Sequence, residues 1–315
     1  MSAQLHPACD AALPRFIAFG EALTDMVRCG DGDQWRSSCG GAPWNVARAV
    51  ARLGMTSAFA GAVSADVLGQ ALWSASAEAG LDLRFLQQLE RPPLLALVYQ
   101  TDPPRYFFVG ENSADLHFDA RHLPTGWPQA AQWALFGGIS LARPPLAEQL
   151  LQQAQAFKAA GGRIAYDPNF RVAMDARYDA MLERMCRLAD VIKVSDEDLC
   201  GLFRCADPRA GLARLRAWNP EALVLLTLGA AGAELHLGAQ TLRARAPRIE
   251  VVDTVGAGDA SMAALLYSLM QAPQAGAEQH LRSAVAGGTL ACLGAGACPP
   301  TAGQLQDWLG RIELS

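Results

Sequence analysis

Short apolar runs, each ended by small or polar residues and separated by stretches of helical length, recur along this 315-residue chain and constrain its fold more than any other feature. Phe16-Ile17-Ala18-Phe19 comes first, and residues 58–63, 133–136, 164–166, 191–194 and 223–228 repeat the pattern. Strands that are apolar on both faces belong to parallel sheets covered by helices, so an α/β fold is expected. Ligands of such sheets bind beyond the carboxyl ends of the strands. Asp25, Gly137, Asp167, Ser195 and Gly229, which follow the runs, are therefore the places to look for function. One segment breaks the rhythm. Residues 94–99, a turn at Thr101-Asp102-Pro103-Pro104 and residues 106–109 read as an antiparallel hairpin, either a lid over the strand ends or a plain edge hairpin.

Composition narrows the class. The length suits one large α/β domain or two ordinary ones. Apolar residues make up 51%, charged residues 18% and the net charge is −5, without the basic excess of a nucleic-acid-binding surface. No apolar run reaches the 18 or so residues of a membrane span, and the first residues lack a basic region followed by an apolar one. A cytoplasmic protein with neither nucleic-acid nor membrane partners is expected. The eight cysteines contain no CxxC pair and read as reduced thiols, including Cys9; the five histidines, among them His6, are too scattered for a protein metal cage.

The segment richest in chemistry is Asp253-Thr254-Val255-Gly256-Ala257-Gly258-Asp259-Ala260, followed by an apolar stretch of helical length. Its glycines let main-chain N–H groups crowd at a helix start, where the helix dipole favours an anion such as phosphate. It is neither GxxxxGK[ST] nor GxGxxG, which disfavours a P-loop ATPase and a Rossmann dehydrogenase. Asp259 beside such a cradle repels phosphate, so its role is to take a proton during phosphoryl transfer, or simply to cap the helix.

This segment resembles the DTxGAGDxF signature of the PfkB (ribokinase-like) carbohydrate kinases. Gly40-Gly41-Ala42-Pro43-Trp44-Asn45-Val46-Ala47 is similar to the family's N-terminal GGxxxNxA signature, and Gly20-Glu21-Ala22-Leu23-Thr24-Asp25 to its first strand exit. The resemblance runs from about Phe16 to the C-terminal helix. It implies a single kinase domain over 1–315 with a Rossmann-like, mostly parallel central sheet flanked by helices, and a small β lid formed by segments around 22–38 and 94–110. It also implies Asp259 as catalytic base and the amides of Gly256, Ala257 and Gly258 as an anion hole. Asp25, Gly41 and Asn45 would hold sugar hydroxyls, with Tyr106 and Phe108 as apolar cover from the lid. ATP and Mg²⁺ are the implied cofactors, and there is room for a monovalent cation such as K⁺ and for a homodimer.

Asp167-Pro168-Asn169-Phe170-Arg171 is similar to the D-x-N-x-R of the fructokinases and 2-keto-3-deoxygluconate kinases in this family, which points Asn169 and Arg171 at the sugar or the transferred phosphate. Lys193-Val194-Ser195-Asp196-Glu197-Asp198 occupies the place of the family's NxxE motif. There Lys193 and Ser195 are expected at the nucleotide and Asp198 at Mg²⁺ through water, while Ser195 and Asp198 equally fit a helix capping box. Thr227, Gly229 and Gly232 resemble the family's TxGxxG turn along the nucleotide, and Gly296-Ala297 the loop under the adenine. Ser261 departs from the family's aromatic, a change expected to affect packing alone. Val109-Gly110 stands where many fructokinases carry Tyr-Arg, which weakens the choice of fructose. Together these features imply an ATP-dependent kinase of fructose or a related ketose. Its alternatives are 2-keto-3-deoxygluconate kinase, ribokinase, nucleoside kinase and a non-catalytic sugar or nucleoside sensor on the same fold.

Overall fold

The computed structural model describes residues 12–30, 32–101 and 104–315, so Cys9, His6 and the hairpin-turn residues Asp102 and Pro103 lie outside the described residues. Among the described residues fourteen strands follow in order: β1 (Phe16–Phe19), β2 (Leu23–Arg28), β3 (Trp35–Gly40), β4 (Ser57–Ser64), β5 (Leu86–Leu89), β6 (Leu95–Thr101), β7 (Pro104–Val109), β8 (Trp133–Gly137), β9 (Arg163–Asp167), β10 (Val191–Ser195), β11 (Leu223–Thr227), β12 (Ala233–Leu237), β13 (Gln240–Arg245) and β14 (Glu313–Leu314). The helices are α1 (Ala42–Arg52), α2 (Val67–Glu78), α3 (Trp127–Ala130), α4 (Leu146–Ala159), α5 (Asp179–Leu188), α6 (Asp196–Phe203), α7 (Pro208–Trp218), α8 (Ala257–Gln271), α9 (Ala277–Ala291) and α10 (Ala302–Trp308).

The expected parallel sheet is present. Its order is β14-β13-β12-β11-β10-β9-β8-β1-β4-β5, parallel from β5 to β11. Successive side chains point to opposite faces, so each strand feeds two cores. On β1, Ile17 and Phe19 join the core under α4 and α5, while Phe16 and Ala18 join the one under α1, α8 and α9. The antiparallel extension β12 to β14 is not visible in the apolar runs. Its strand β12 alternates apolar residues with Glu234 and His236, and the buried Glu234 is neutralised by Arg209 and Arg243 and hydrogen-bonded to His236.

A separate four-stranded sheet, ordered β3-β2-β6-β7, is assembled from the two segments expected to form the lid, with β3 running two residues further, to Gly40. The β6–β7 pair is antiparallel, as the hairpin requires, and β2 runs parallel to β6. Cross-strand partners share a face. The row Asp25–Ala96–Phe108 and the row Val27–Val98–Tyr106 are thus on one side, and Phe107 and Val109 are exposed on the other.

Helices α8 and α9 approach closely because small residues meet between them. A Cβ on Gly287 would lie 2.5 Å from the Ala264 Cβ and 2.8 Å from the Ala260 carbonyl oxygen, and Gly288 faces Ser261 in the same way. Ser261 is buried in this contact, which agrees with a packing role. Gly287→Val is expected to cost about 1–3 kcal/mol by overpacking, read as a lower Tm in calorimetry. An unchanged Tm would show that the two helices can part freely.

Candidate active site

The carboxyl ends of β9, β10 and β11 bring several of the expected residues together, and α8 starts opposite them. Gly256 caps α8 with φ 77°, a left-handed conformation that glycine adopts without strain. The first turn of any helix leaves N–H groups unpaired. Here those of Gly256, Gly258 and Asp259 find no acceptor among the described residues, whereas that of Ala257 donates to the Thr254 carbonyl at 3.2 Å. The free donors are thus not quite the expected set. The turn that enters the helix consumes Ala257, and Asp259 supplies its own amide instead.

Asp259, the third residue of α8, is partly buried and accepts a hydrogen bond from Asn45 Nδ2 at 2.8 Å. Asn45 comes from the first turn of α1, which begins at Gly41 in a positive-φ conformation (115°) that brings its backbone against Glu21 and Ala22. Only the amide nitrogen can donate to a carboxylate, so the orientation of Asn45 is set by this bond. Its Oδ1 is left buried with no partner. Asn45 is therefore part of the site and not an exposed residue of the first turn.

Below the helix start lies Lys193, 5% exposed, with its Nζ 3.1 Å from Asp167 Oδ2, 4.0 Å from Asp198 Oδ2 and close beneath Gly258. Burial opposes the Lys193 ammonium, but Asp167, Asp198 and Asp259 outweigh it and hold its pKa above the ordinary value. Burial raises the Asp259 carboxyl, while the Asn45 hydrogen bond and the charges of Lys193 and Arg171 draw it down. Asp198 is heavily engaged: Oδ1 accepts from Phe170 N and Oδ2 from Ser195 N, both at 2.8 Å, and Ser195 Oγ returns a bond to Asp198 N at 2.9 Å. The capping box is therefore formed, and it also fastens the loop after β9.

In that loop Asn169 takes a positive φ of 46°, and its Oδ1 accepts from Arg171 Nη1 at 2.7 Å. The Arg171 guanidinium is 5.8 Å from the Tyr106 ring centroid, which links the loop to the small sheet. Its charge acts on Asp25, Asp259 and Glu21. Burial pushes the Asp25 carboxyl up to about 6, against the pull of Arg171. Phe108 contacts Tyr106 edge-on at 5.6 Å. Thr227 ends β11, and Gly229 and Gly232 form the turn after it, one strand away from Lys193. The Gly296-Ala297 loop does reach α8. Ala297 abuts Gly256, and Gly296 N donates to Asp253 Oδ2 at 2.8 Å.

Three carboxylates here carry weight that sequence reasoning did not assign. Asp253 ties the helix start to the Gly296 loop. Asp167 anchors Lys193, and burial raises its carboxyl to about 6 against that lysine. Glu21, 3% exposed, accepts from Ser140 Oγ at 2.7 Å, and burial raises it to about 7. Glu21 and Asp167 sit at strand ends, where an acidic residue in an apolar setting is itself a signal.

With this geometry in place, comparison with known proteins gives the family. The profile described as pfkB family carbohydrate kinase matches residues 13–302. A fructokinase of Klebsiella pneumoniae is 36% identical over 259 residues, 79% of this chain and 82% of that one. An aminoimidazole riboside kinase of Salmonella typhimurium is 29% identical over 315 residues, 96% of this chain and 98% of that one. The crystal structure of fructokinase with bound ATP from Xylella fastidiosa superposes with a TM-score of 0.84 at 29% identity, covering 95% of this chain and 99% of that one. The chain belongs to the pfkB family of carbohydrate kinases, and its fold is ribokinase-like.

The raised carboxyls carry a pH dependence. A carboxyl whose native pKa exceeds its unfolded value of about 4 keeps its proton longer in the native state. The stability this contributes is complete below about pH 4 and is lost as pH rises through the native values, near 6 for Asp25 and Asp167 and near 7 for Glu21. Glu21→Gln, which keeps an acceptor for Ser140, should raise Tm relative to the parent at pH 8 and change it little at pH 5. Equal shifts at both pH values would show that Glu21 is not held protonated by burial.

Proposed function

We propose that this protein transfers the γ-phosphate of ATP to a hydroxyl of fructose or a related ketose, with Asp259 as the base. The observation that carries the reading is the junction at the start of α8. There a partly buried carboxylate lies next to unpaired main-chain N–H groups and to an Asn45 Oδ1 that lacks a donor. A sugar hydroxyl fits this gap, since it can donate to Asp259 and its neighbour can donate to Asn45. As Asp259 takes the proton, the hydroxyl oxygen attacks the γ-phosphorus and the bond to the ADP oxygen breaks. The free amides of Gly256, Gly258 and Asp259 then meet the charge on the transferred group. Arg171 is positioned to steady that charge from the acceptor side.

Asp25, Gly41, Asn45 and Asn169 form the acceptor pocket in this reading. The small sheet acts as its lid, with Tyr106 and Phe108 on the inner face. The nucleotide lies along Thr227, Gly229 and Gly232 towards Gly296 and Ala297. Among the described residues no three His, Cys, Asp or Glu side chains converge as a metal cage. Asp167, Asp198 and Asp259 nonetheless outnumber Lys193 and leave net negative charge, which suits a divalent ion held mainly by phosphates and water with Asp198 nearby. Mg²⁺ bound there would neutralise the β- and γ-phosphates. The fructokinase names of the similar proteins support the choice of a ketose, and an ATP-consumption screen over fructose, 2-keto-3-deoxygluconate, ribose, other ketoses and nucleosides tests it. Turnover of no sugar would overturn the proposal.

Asp259→Asn should leave ATP and sugar binding nearly intact and lower single-turnover rates by about 10²–10⁴-fold. Retention of most of the rate would reduce Asp259 to a helix cap. Asn45→Ala and Asp25→Ala should each raise the sugar KM while calorimetry finds ATP affinity little changed. A loss confined to ATP would reverse the orientation assigned to the site.

A further inference from the structure

Two thiols lie together at the far end of the helix that carries Asp198. Helix α6 ends on Arg204, whose φ of 50° is left-handed. The turn that follows is closed by Arg204 N donating to the Gly201 carbonyl at 3.3 Å and Cys205 N to the Cys200 carbonyl at 3.1 Å. This pair of bonds reverses the chain after a helix and sets the side chains at its two ends, here Cys200 and Cys205, against each other. It also limits their separation. With ordinary bond lengths the second bond holds the two Cα atoms at most about 7 Å apart, within the reach of a disulfide.

Both side chains turn onto the same strip of backbone. Cys200 Sγ donates to the Ala206 carbonyl at 3.8 Å, and Cys205 Sγ to the Asp207 carbonyl at 3.2 Å. Both are free thiols and half-buried, and Arg204, Ala206 and Asp207 around them are exposed, so a small reagent can reach the pair. Partial burial, and after it Cys205, Asp196 and Asp207, hold the Cys200 thiol above its ordinary pKa. Cys200 is thus a protonated thiol, suited to the second step of an exchange and not to the first.

The position of this pair gives a cross-link something to act on. An arginine in the left-handed conformation is a weaker helix stop than glycine, and Arg204 is held there by its ion pair with Asp179. The same last turn contains Gly201, where a Cβ would lie 2.3 Å from the Phe170 ring. Phe170 belongs to the loop of Asn169 and Arg171, and its N–H donates to Asp198, two residues before Cys200.

We propose that Cys200 and Cys205 form a redox modification site, closing to a disulfide by exchange with a small disulfide such as oxidised glutathione, and that the cross-link tightens the end of α6 and, through Gly201, the loop that carries Phe170. The Cys205 thiolate attacks one sulfur of the oxidant and expels one glutathione thiolate. The Cys200 thiolate then attacks the Cys205 sulfur and expels the second. The protein loses two protons and two electrons, and the two glutathiones leave reduced with those protons.

Trypsin cuts after Lys193, Arg204 and Arg209, which places the two thiols on separate peptides, 194–204 and 205–209. Folded full-length protein is treated with oxidised glutathione, remaining thiols are blocked with N-ethylmaleimide, and the protein is then unfolded and digested. The two peptides should be recovered joined to each other and should part after dithiothreitol. Tm should rise by about 2–4 °C, and amide exchange around Phe170 should slow. Cys200→Ser and Cys205→Ser, treated alike, should show neither change. Glutathione left on either cysteine, a link to another cysteine, or both thiols recovered carrying maleimide overturns the assignment. The same shifts in the serine variants would overturn it as well. A link that leaves Tm or the exchange at Phe170 unchanged overturns the tightening of the site loop.

Discussion

A single buried ammonium organises the strand ends. Lys193 faces Asp167 from β9 and Asp198 from α6, and lies beneath Gly258 at the start of α8. Each buried ion pays several kcal/mol of desolvation, and only good geometry and further hydrogen bonds offset it. That condition is met piece by piece, since Asp198 accepts two main-chain N–H groups and Asp167 Oδ1 accepts Asn169 N. The loop after β9, the first turn of α6 and the first turn of α8 therefore cannot shift independently. Arg171 and Asn169, which ride on that loop, inherit their positions from Lys193.

The second constraint is the fit of α8 against its neighbours. Asn45 reaches Asp259 across 214 residues of sequence only because α1 and α8 pack on the same core, beneath residues such as Trp44, Val46 and Ala263. Small residues let α9 press on α8 from another side. A bulkier residue at Gly287 would act on the site through α8 without touching a ligand. Packing and chemistry are coupled here through one helix.

Much of this was legible in the sequence, for identifiable reasons. Buried parallel strands announce themselves as apolar runs, and Gly256 with Gly258 marks a helix start where amides are exposed. Asp259 and Asn45 stand in short signatures, so both could be singled out even though their contact could not. What escaped depends on partners distant in the chain. Lys193 is expected at the nucleotide, and its pairing with Asp167, 26 positions earlier, could not be read locally. Arg143 donates to the Gly110 carbonyl from 33 positions away, and no local pattern links them. Strands β12 to β14 were hidden because Glu234 and His236 interrupt the apolar alternation while being buried by pairing with arginines and each other. Ala257 was expected to donate to an anion, but the turn at Thr254 takes its N–H, a detail of backbone geometry below the resolution of a motif.

Asn45 shows how the candidate site is suited to a hydroxylated acceptor. Its Nδ2 is committed to Asp259, and its Oδ1 is buried without a donor, a state that costs about 1–3 kcal/mol in a folded protein. The same bond to Asn45 favours the ionised form of Asp259, which burial disfavours. Two neighbouring hydroxyls relieve both strains, since one donates to Oδ1 and the other to the carboxylate. The unsatisfied groups thus lie where a polyol can complete them. Specificity for a hydroxylated acceptor follows from desolvated polar atoms that only a multiply hydroxylated ligand satisfies at once.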